Sequence, residues 1–565
     1  MSVLSPAMQR RAEWRIILVM AAFAICYGAV ATGLGLMALS QPGEPARAGP
    51  AETRPPVRGP VTDRNGHLLA ANLPAWSLYV HPREIRDVDA MAEALDPIFP
   101  DLTAERIAAR VRASRDFAWI KRPVTPRQRQ RILDLQPAIP ALKFGRRDMR
   151  VYPAGRLAAH LMGSVKAGRE GVQSAELIGS GGVEQAFDAY LRDPAAVEEP
   201  LALSIDLTVQ AALTEVLARG VEHYGAKRGS ALLMDVRTGE MLAMVSLPDF
   251  DPNAPVASLD GAATNPRFHQ AVRGVYELGS VFKPLTAAIA LETGLARPES
   301  MIRTGEPLRE GGYRIRDLHR MPPYMSVTDI IRRSSNVGVA QLARMIGTER
   351  FRAELGRLGM LEPVGIELPE AAAPLLPRRW TDLSTLTISF GHGLSVTPLH
   401  LLAAYGTLAG GGERVIPSLV KGGRPKGERV FSEETSAAMR TMLRKVVSDG
   451  TGRRTDIPGY RVGGKTGTAD KPYPDRPGYD RTRTIASFAS IFPTTRPKYA
   501  MLIQLDEPTD PETGSRQASR SAVPVTREAI ERIAPLLGLE PLPPEPEPVA
   551  SAILHAQTIT VGLTE

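Results

Sequence analysis

One cysteine, Cys26, is all that the 565 residues contain, so disulfide scaffolds, cysteine-ligated zinc and iron–sulfur clusters are excluded at once. None of the nine histidines falls in an H-E-x-x-H pair, which removes the simplest zinc-hydrolase pattern. No internal repeat is visible. A dominant charge is lacking too: a net charge of +8 over so long a chain does not choose between anionic lipid, an anionic polymer and nucleic acid. What is present is enough chain for three or four domains, with 50 Gly and 49 Pro to supply turns and linkers.

Ile16 to Leu39 runs 24 residues without a charge, long enough to cross a bilayer core of about 30 Å at about 1.5 Å per residue. Arg10, Arg11 and Arg15 precede it and keep residues 1–15 in the cytoplasm by the positive-inside tendency. A signal peptide has a shorter apolar region, so 16–39 is expected to be an uncleaved single-pass anchor, with the rest of the chain outside the membrane. Cys26 lies inside this span. Residues 40–56, with five Pro between Gln41 and Pro56, form a semi-extended tether.

Residues 57–200 mix short strand-like and helix-like pieces and show no catalytic pattern, so a non-catalytic structural or docking module is expected there. Asp63-Arg64-Asn65-Gly66 marks a turn, Trp76–Val80 a short strand, and Thr103–Arg112 and Pro126–Leu135 two helices. From 201 to 540 the elements lengthen. Two apolar runs around Arg237-Thr238-Gly239 predict a hairpin, and Ile485–Phe492 with Tyr499–Leu505 a second strand pair. Helices are expected after Ser280, Ser326 and Asn336, and a last one capped by Thr526 with Ile530, Ile533, Leu536 and Leu537 on one face. Strands at both ends with helices between them predict an α+β fold with an antiparallel sheet flanked by helices. Residues 541–565 begin as a low-complexity tail.

The chemistry is concentrated in three short motifs. In Gly279-Ser280-Val281-Phe282-Lys283-Pro284 the serine and lysine are spaced i, i+3, so on a helix they are hydrogen-bonding neighbours and the lysine can take the serine's proton. Gly279 lets the chain turn into the helix, Pro284 falls in its first turn, and Gly294 ends it. The helix N-terminus and any second cation would favour a neutral lysine. Ser334-Ser335-Asn336, between two helical runs, can project a proton-relaying hydroxyl and an amide for substrate into a cleft. In Lys465-Thr466-Gly467-Thr468 the lysine and hydroxyls suit a carboxylate, and the glycine leaves room for a substrate backbone beside an edge strand.

Two other matches fail in context. Ser418-Leu419-Val420-Lys421 repeats S-x-x-K but runs into Gly422-Gly423, where no helix can carry it. Gly459 to Thr466 satisfies the P-loop pattern, yet Pro458, Pro472, Pro474 and Pro477 forbid the helix that a P-loop lysine must open.

With these motifs in this order, the sequence resembles class B penicillin-binding proteins, and within them the septal, cell-division peptidoglycan D,D-transpeptidases. Arg58-Gly59, the Asp63–Gly66 turn, Arg150–Pro153, Ala159–Gly163 and Gly182-Val183-Glu184 with Tyr190 look like the family's non-catalytic N-terminal module. Phe390–Gly393, Val396–Pro398 and Leu505–Pro508 look division-type rather than elongation-type. The resemblance implies that Ser280 is acylated by the penultimate D-Ala of a stem pentapeptide with Lys283 as base, and that Ser334 and Asn336 assist. It implies that Lys465, Thr466 and Thr468, around Gly467, bind the terminal carboxylate, and that the N–H groups of Ser280 and Thr468 form an oxyanion hole. It implies no metal or organic cofactor and no nucleic acid. The implied partners are β-lactams, a polytopic septal glycan polymerase and other division proteins. A class A β-lactamase would need an E-x-x-x-N element, and no Asn follows Asn336. An elongation-type enzyme, a D,D-carboxypeptidase and a catalytically silent division scaffold remain as alternatives.

Overall fold

A 13-residue strand, much longer than the Trp76–Val80 expected, organises the N-terminal part. The computed structural model describes residues 58–170, 175–254 and 265–544, with seven further positions between 14 and 28. The anchor expected over 16–39 lies largely outside the described residues, as do the tether and most of the tail. Among the described residues no helix is long and apolar enough to cross a membrane.

The long strand, β2 (Leu68–Val80), pairs with β1 (Val61–Thr62), β3 (Ala118–Val124) and β4 (Lys143–Val151), and β1 also pairs in parallel with β5 (Leu201–Ala202). Helices α1 (Ala104–Arg112) and α2 (Pro126–Leu135) lie close to where their periodicity put them. They bury Ile107, Val111 and Ile132 against Leu78, Val80 and Ile120.

Two ionic clusters explain the motifs of this part. Glu184, with no solvent exposure, accepts from Arg58 Nε (2.5 Å) and Arg150 Nε (2.7 Å), and Arg58 also reaches Asp188 (2.7 Å). Asp63 accepts from the backbone N–H groups of Asn65 (2.8 Å), His67 (2.9 Å) and Leu207 (3.1 Å). Burial pushes the Asp63 carboxyl up, but the Leu207 N–H, the His67 ring and the other N–H donors outweigh it and hold it below its ordinary value. The turn thereby ties the N-terminal part to the first turn of the next long helix.

That helix is α3 (Leu207–His223), followed by α4 (Lys283–Glu292), α5 (Val327–Arg333), α6 (Asn336–Ile346), α7 (Pro398–Ala409) and α8 (Ala522–Ile533). They surround an antiparallel sheet of β6 (Arg228–Asp235), β7 (Met241–Leu247), β8 (Gly463–Pro472), β9 (Tyr479–Phe492) and β10 (Tyr499–Asp506), in the order β8-β9-β10-β6-β7. Both expected strand pairs are present, and Gly239 takes φ +75° in the turn between β6 and β7. Both faces of the sheet are covered, which is why β6 and β7 are buried almost throughout. Val209, Leu213, Ile530 and Ile533 of α3 and α8 pack with Leu233, Phe488 and Ile503 on one face. Phe282, Leu285 and Tyr405 pack with Leu232, Met234 and Leu502 on the other. The fold is thus α+β with an antiparallel sheet between helices.

The last helix departs from expectation. It begins at Ala522, a turn before Thr526, whose hydroxyl donates back to the Ala522 carbonyl (2.7 Å) instead of capping. Pro524 lies in its first turn, where a missing N–H costs nothing. Ile530 and Ile533 are buried and Leu537 packs beside them, but Leu536 is 43% exposed because the helix has ended.

Candidate active site

Ser280 stands on a tight 3₁₀ turn, Gly279–Phe282, that feeds directly into α4, with Pro284 in the first turn of that helix. Three segments hold the turn. Gly279, at φ +61°, donates its N–H to Gly391 (3.1 Å), and a Cβ on Gly391 would stand 2.1 Å from the Gly279 carbonyl oxygen. The fully buried Tyr405 donates its hydroxyl to the Val281 carbonyl (2.8 Å). β8 passes so close that a Cβ on Gly467 would come within 2.6 Å of the Leu278 carbonyl oxygen. Gly467 therefore makes room for the serine turn, a demand that its place in the motif did not disclose. β8 is the sheet edge, as anticipated.

The two motif lysines converge on the second motif. Lys283 donates to the Ser334 carbonyl (2.6 Å) and to Ser334 Oγ (3.1 Å). Lys465 donates to the same Oγ (3.0 Å) and to the Thr466 carbonyl (3.0 Å). Ser334 caps α5 in the left-handed region, at φ 65°, which aims its carbonyl and hydroxyl at both amines. The neighbour expected of Lys283 was Ser280; among the described residues no hydrogen bond joins them, and the amine donates to Ser334. Neither lysine has solvent exposure. Burial, then the nearby Lys465 charge, push the Lys283 amine well below its ordinary value, with Asp317 opposing. Burial alone brings Lys465 down to about 7.

Asp317 is the residue the motifs did not disclose. It accepts from Ser335 Oγ (2.7 Å), from the Asn336 N–H, and from the Val337 N–H (3.2 Å), capping α6 from a distant loop. Asn336 Nδ2 donates to the Arg316 carbonyl (3.1 Å). No local pattern marks Asp317, since its partners lie far along the chain. Thr466 Oγ1 meets Thr451 Oγ1 (2.9 Å), and Thr468 Oγ1 accepts from the Ala518 N–H (3.0 Å). All three motifs therefore line one site, whereas Ser418 is fully buried, its hydroxyl donating to Glu367. Lys465 lies within a strand, so the P-loop reading has no helix to open. Among the described residues, no three His, Cys, Asp or Glu side chains converge as a metal site.

Residues 229–531, which carry all three motifs, match the penicillin-binding protein transpeptidase domain, and residues 53–199 match the penicillin-binding protein dimerisation domain. The chain belongs to the penicillin-binding protein transpeptidase family. The probable peptidoglycan D,D-transpeptidase FtsI of Caulobacter vibrioides is 38% identical, covering 93% of this chain and 89% of that protein. The peptidoglycan D,D-transpeptidase FtsI of Escherichia coli K12 is 30% identical, covering 86% of this chain and 84% of its own length. The crystal structure of penicillin-binding protein 3 from Mycobacterium tuberculosis complexed with ampicillin superposes at a TM-score of 0.66, with 26% identity, over 87% of this chain and 98% of that one. Within this family the lysine–serine–lysine arrangement on Ser334 is the feature with chemical content.

Proposed function

We infer that the chain is a serine acyl-transferase that cross-links peptidoglycan stem peptides at the division septum. The observation that carries this is the meeting of two fully buried lysines on one hydroxyl beside the Ser280 turn. A serine hydroxyl needs a base, and an amine held neutral by burial is one. Lys283 takes the Ser280 proton as Oγ attacks the penultimate D-Ala carbonyl. The N–H groups of Ser280 and Thr468 would stabilise the oxyanion, and Lys465, Thr466 and Thr468 would hold the terminal carboxylate. Lys283, through Ser334, returns the proton to the departing D-Ala amine. Asn336, with its amide N–H on Arg316, keeps its oxygen for a substrate N–H. An amine of a second stem peptide then takes the acyl group from Ser280.

The names of the relatives and the phrases Phe390–Gly393 and Leu505–Pro508 support the septal role. The uncharged segment 16–39 supports a single-pass inner-membrane anchor with a periplasmic catalytic part, docking a polytopic glycan polymerase and other division proteins. Intact mass after incubation with benzylpenicillin tests the chemistry. A stable adduct of one penicillin on the wild type and none on Ser280→Ala is expected. Consumption of the drug without an adduct would mean a β-lactamase, and an inert wild type would mean a scaffold.

A further inference from the structure

A second set of ionisable side chains touches the serine turn through other segments. Glu277, three residues before Ser280, accepts on Oε1 from the Gly393 N–H (2.8 Å) and the Tyr479 hydroxyl (3.1 Å), while its Oε2 is buried without a partner. His392 sits between Gly391, which is bonded to Gly279, and Gly393, which is bonded to Glu277. Its ring meets Tyr479 edge-on, with centroids 5.7 Å apart, and lies 5.4 Å from Phe390. Nδ1 is buried without a hydrogen-bond partner, although the residue as a whole is partly exposed. The charged groups that act on this imidazole are Glu277 and Asp470, which favour its protonation, and Lys283, which opposes it. Burial is the largest influence and keeps the imidazole below its ordinary value, hence neutral at pH 7. Buried polar atoms in folded proteins are nearly always satisfied, so two unsatisfied ones beside a nucleophile need a reason.

The second half of the proposed reaction supplies one. The acceptor amine arrives as an ammonium ion and cannot attack until it loses a proton, a demand that the first half does not make. The lysine end of the site suits the donor's carboxylate, whereas the Glu277–Asp470 end suits a cation. We propose that His392 is the general base that deprotonates the acceptor amine, and that Glu277 is a positioning residue for its ammonium form. This rests on the acyl-transfer reading above. In the step, the ammonium gives one proton to His392 and the freed amine attacks the Ser280 ester carbonyl. The C–N bond forms as the C–Oγ bond breaks, the second proton passes to Ser280 Oγ through Lys283, and the imidazolium then loses its proton to water.

The test uses the full chain in detergent, a thioester acyl donor and D-alanine as the acceptor amine, and measures the ratio of aminolysis to hydrolysis product. That ratio reports the fate of the acyl-enzyme independently of how fast it forms. His392→Phe, which keeps a ring against Tyr479, is expected to lower the ratio at least tenfold at pH 7 and to steepen its rise with pH. Added imidazole is expected to restore aminolysis to His392→Ala, which loss of packing alone would not allow. Glu277→Gln, which keeps an oxygen for Gly393 and Tyr479, is expected to raise the D-alanine concentration for half-maximal aminolysis at least threefold. A His392→Phe ratio within twofold of wild type overturns the proposal. If that variant does not fold, an unchanged D-alanine requirement in Glu277→Gln overturns it instead. A wild type that forms no acyl-enzyme overturns the acyl-transfer reading itself, and this proposal with it.

Discussion

Lys283 and Lys465 end on one oxygen: their Nζ atoms stand 3.1 and 3.0 Å from Ser334 Oγ, and neither side chain has solvent exposure. Two ammonium groups cannot share so dry a site without strong repulsion, so the arrangement favours a neutral Lys283. The hydroxyl between them links the two amines and gives a proton a short path from one to the other.

Replacing Lys465 separates activity from stability. Lys465→Met is expected to lower the rate of penicillin acylation by at least ~100-fold. Loss of the neighbouring charge lets the Lys283 value rise, so the acid limb of the residual acylation moves to higher pH. Lys465 is held at about 7 in the folded protein, below its unfolded value of about 10.4. The unfolded chain therefore binds more protons between these values, and wild-type stability rises with pH across that window. The variant loses this contribution and gains about 1–2 kcal/mol at pH 7. Acylation kinetics and thermal unfolding over pH 6–10 check both parts.

Asp317→Ala removes the acceptor for Ser335 Oγ and for two N–H groups at the start of α6. A lost cap costs about 1–2 kcal/mol, and the second motif loses its support. Acylation is expected to fall about tenfold or more, with Asp317→Asn closer to wild type. Thermal melts beside acylation rates distinguish the two effects.

Gly391→Ala puts a Cβ 2.1 Å from the Gly279 carbonyl oxygen at a position with φ +87°. Either the serine turn or the Phe390–Gly393 segment must move, and a strained backbone of this kind costs about 1–3 kcal/mol before any clash. The expected result is a folded protein whose penicillin adduct no longer forms at a measurable rate, checked by circular dichroism and intact mass.

Glu184→Ala leaves Arg58 and Arg150 buried without their shared carboxylate. Breaking a buried ion pair from one side costs about 3–5 kcal/mol. The melting temperature is expected to drop sharply while Ser280 still acylates below it, because Glu184 belongs to the N-terminal part. A calorimetric scan with and without bound penicillin measures this.

The sequence alone was sufficient for the three motifs, the two strand pairs and the helices that carry the motifs, because these depend on neighbours along the chain; the length of β2 and the helices α3 and α7 were not read from it. Gly279 and Gly294 bracket a helix, Arg237–Gly239 turns a hairpin, and Pro458 with the prolines after Lys465 excludes a P-loop, all through local backbone geometry. Thr526 misled for the same reason: it is a good cap by type, but Pro524 and the packing of Val523 and Val525 start the helix earlier. Tertiary structure decided everything that depends on atoms distant in the chain meeting. Only there do Lys283 and Lys465 share Ser334, Gly467 yield space to Leu278, Asp317 hold Asn336, and Glu277 and Tyr479 bracket His392. The physical reason is that a pattern of residue types sets which groups are available. Burial and distance, which set their protonation and partners, exist only once the sheet and helices have closed around them.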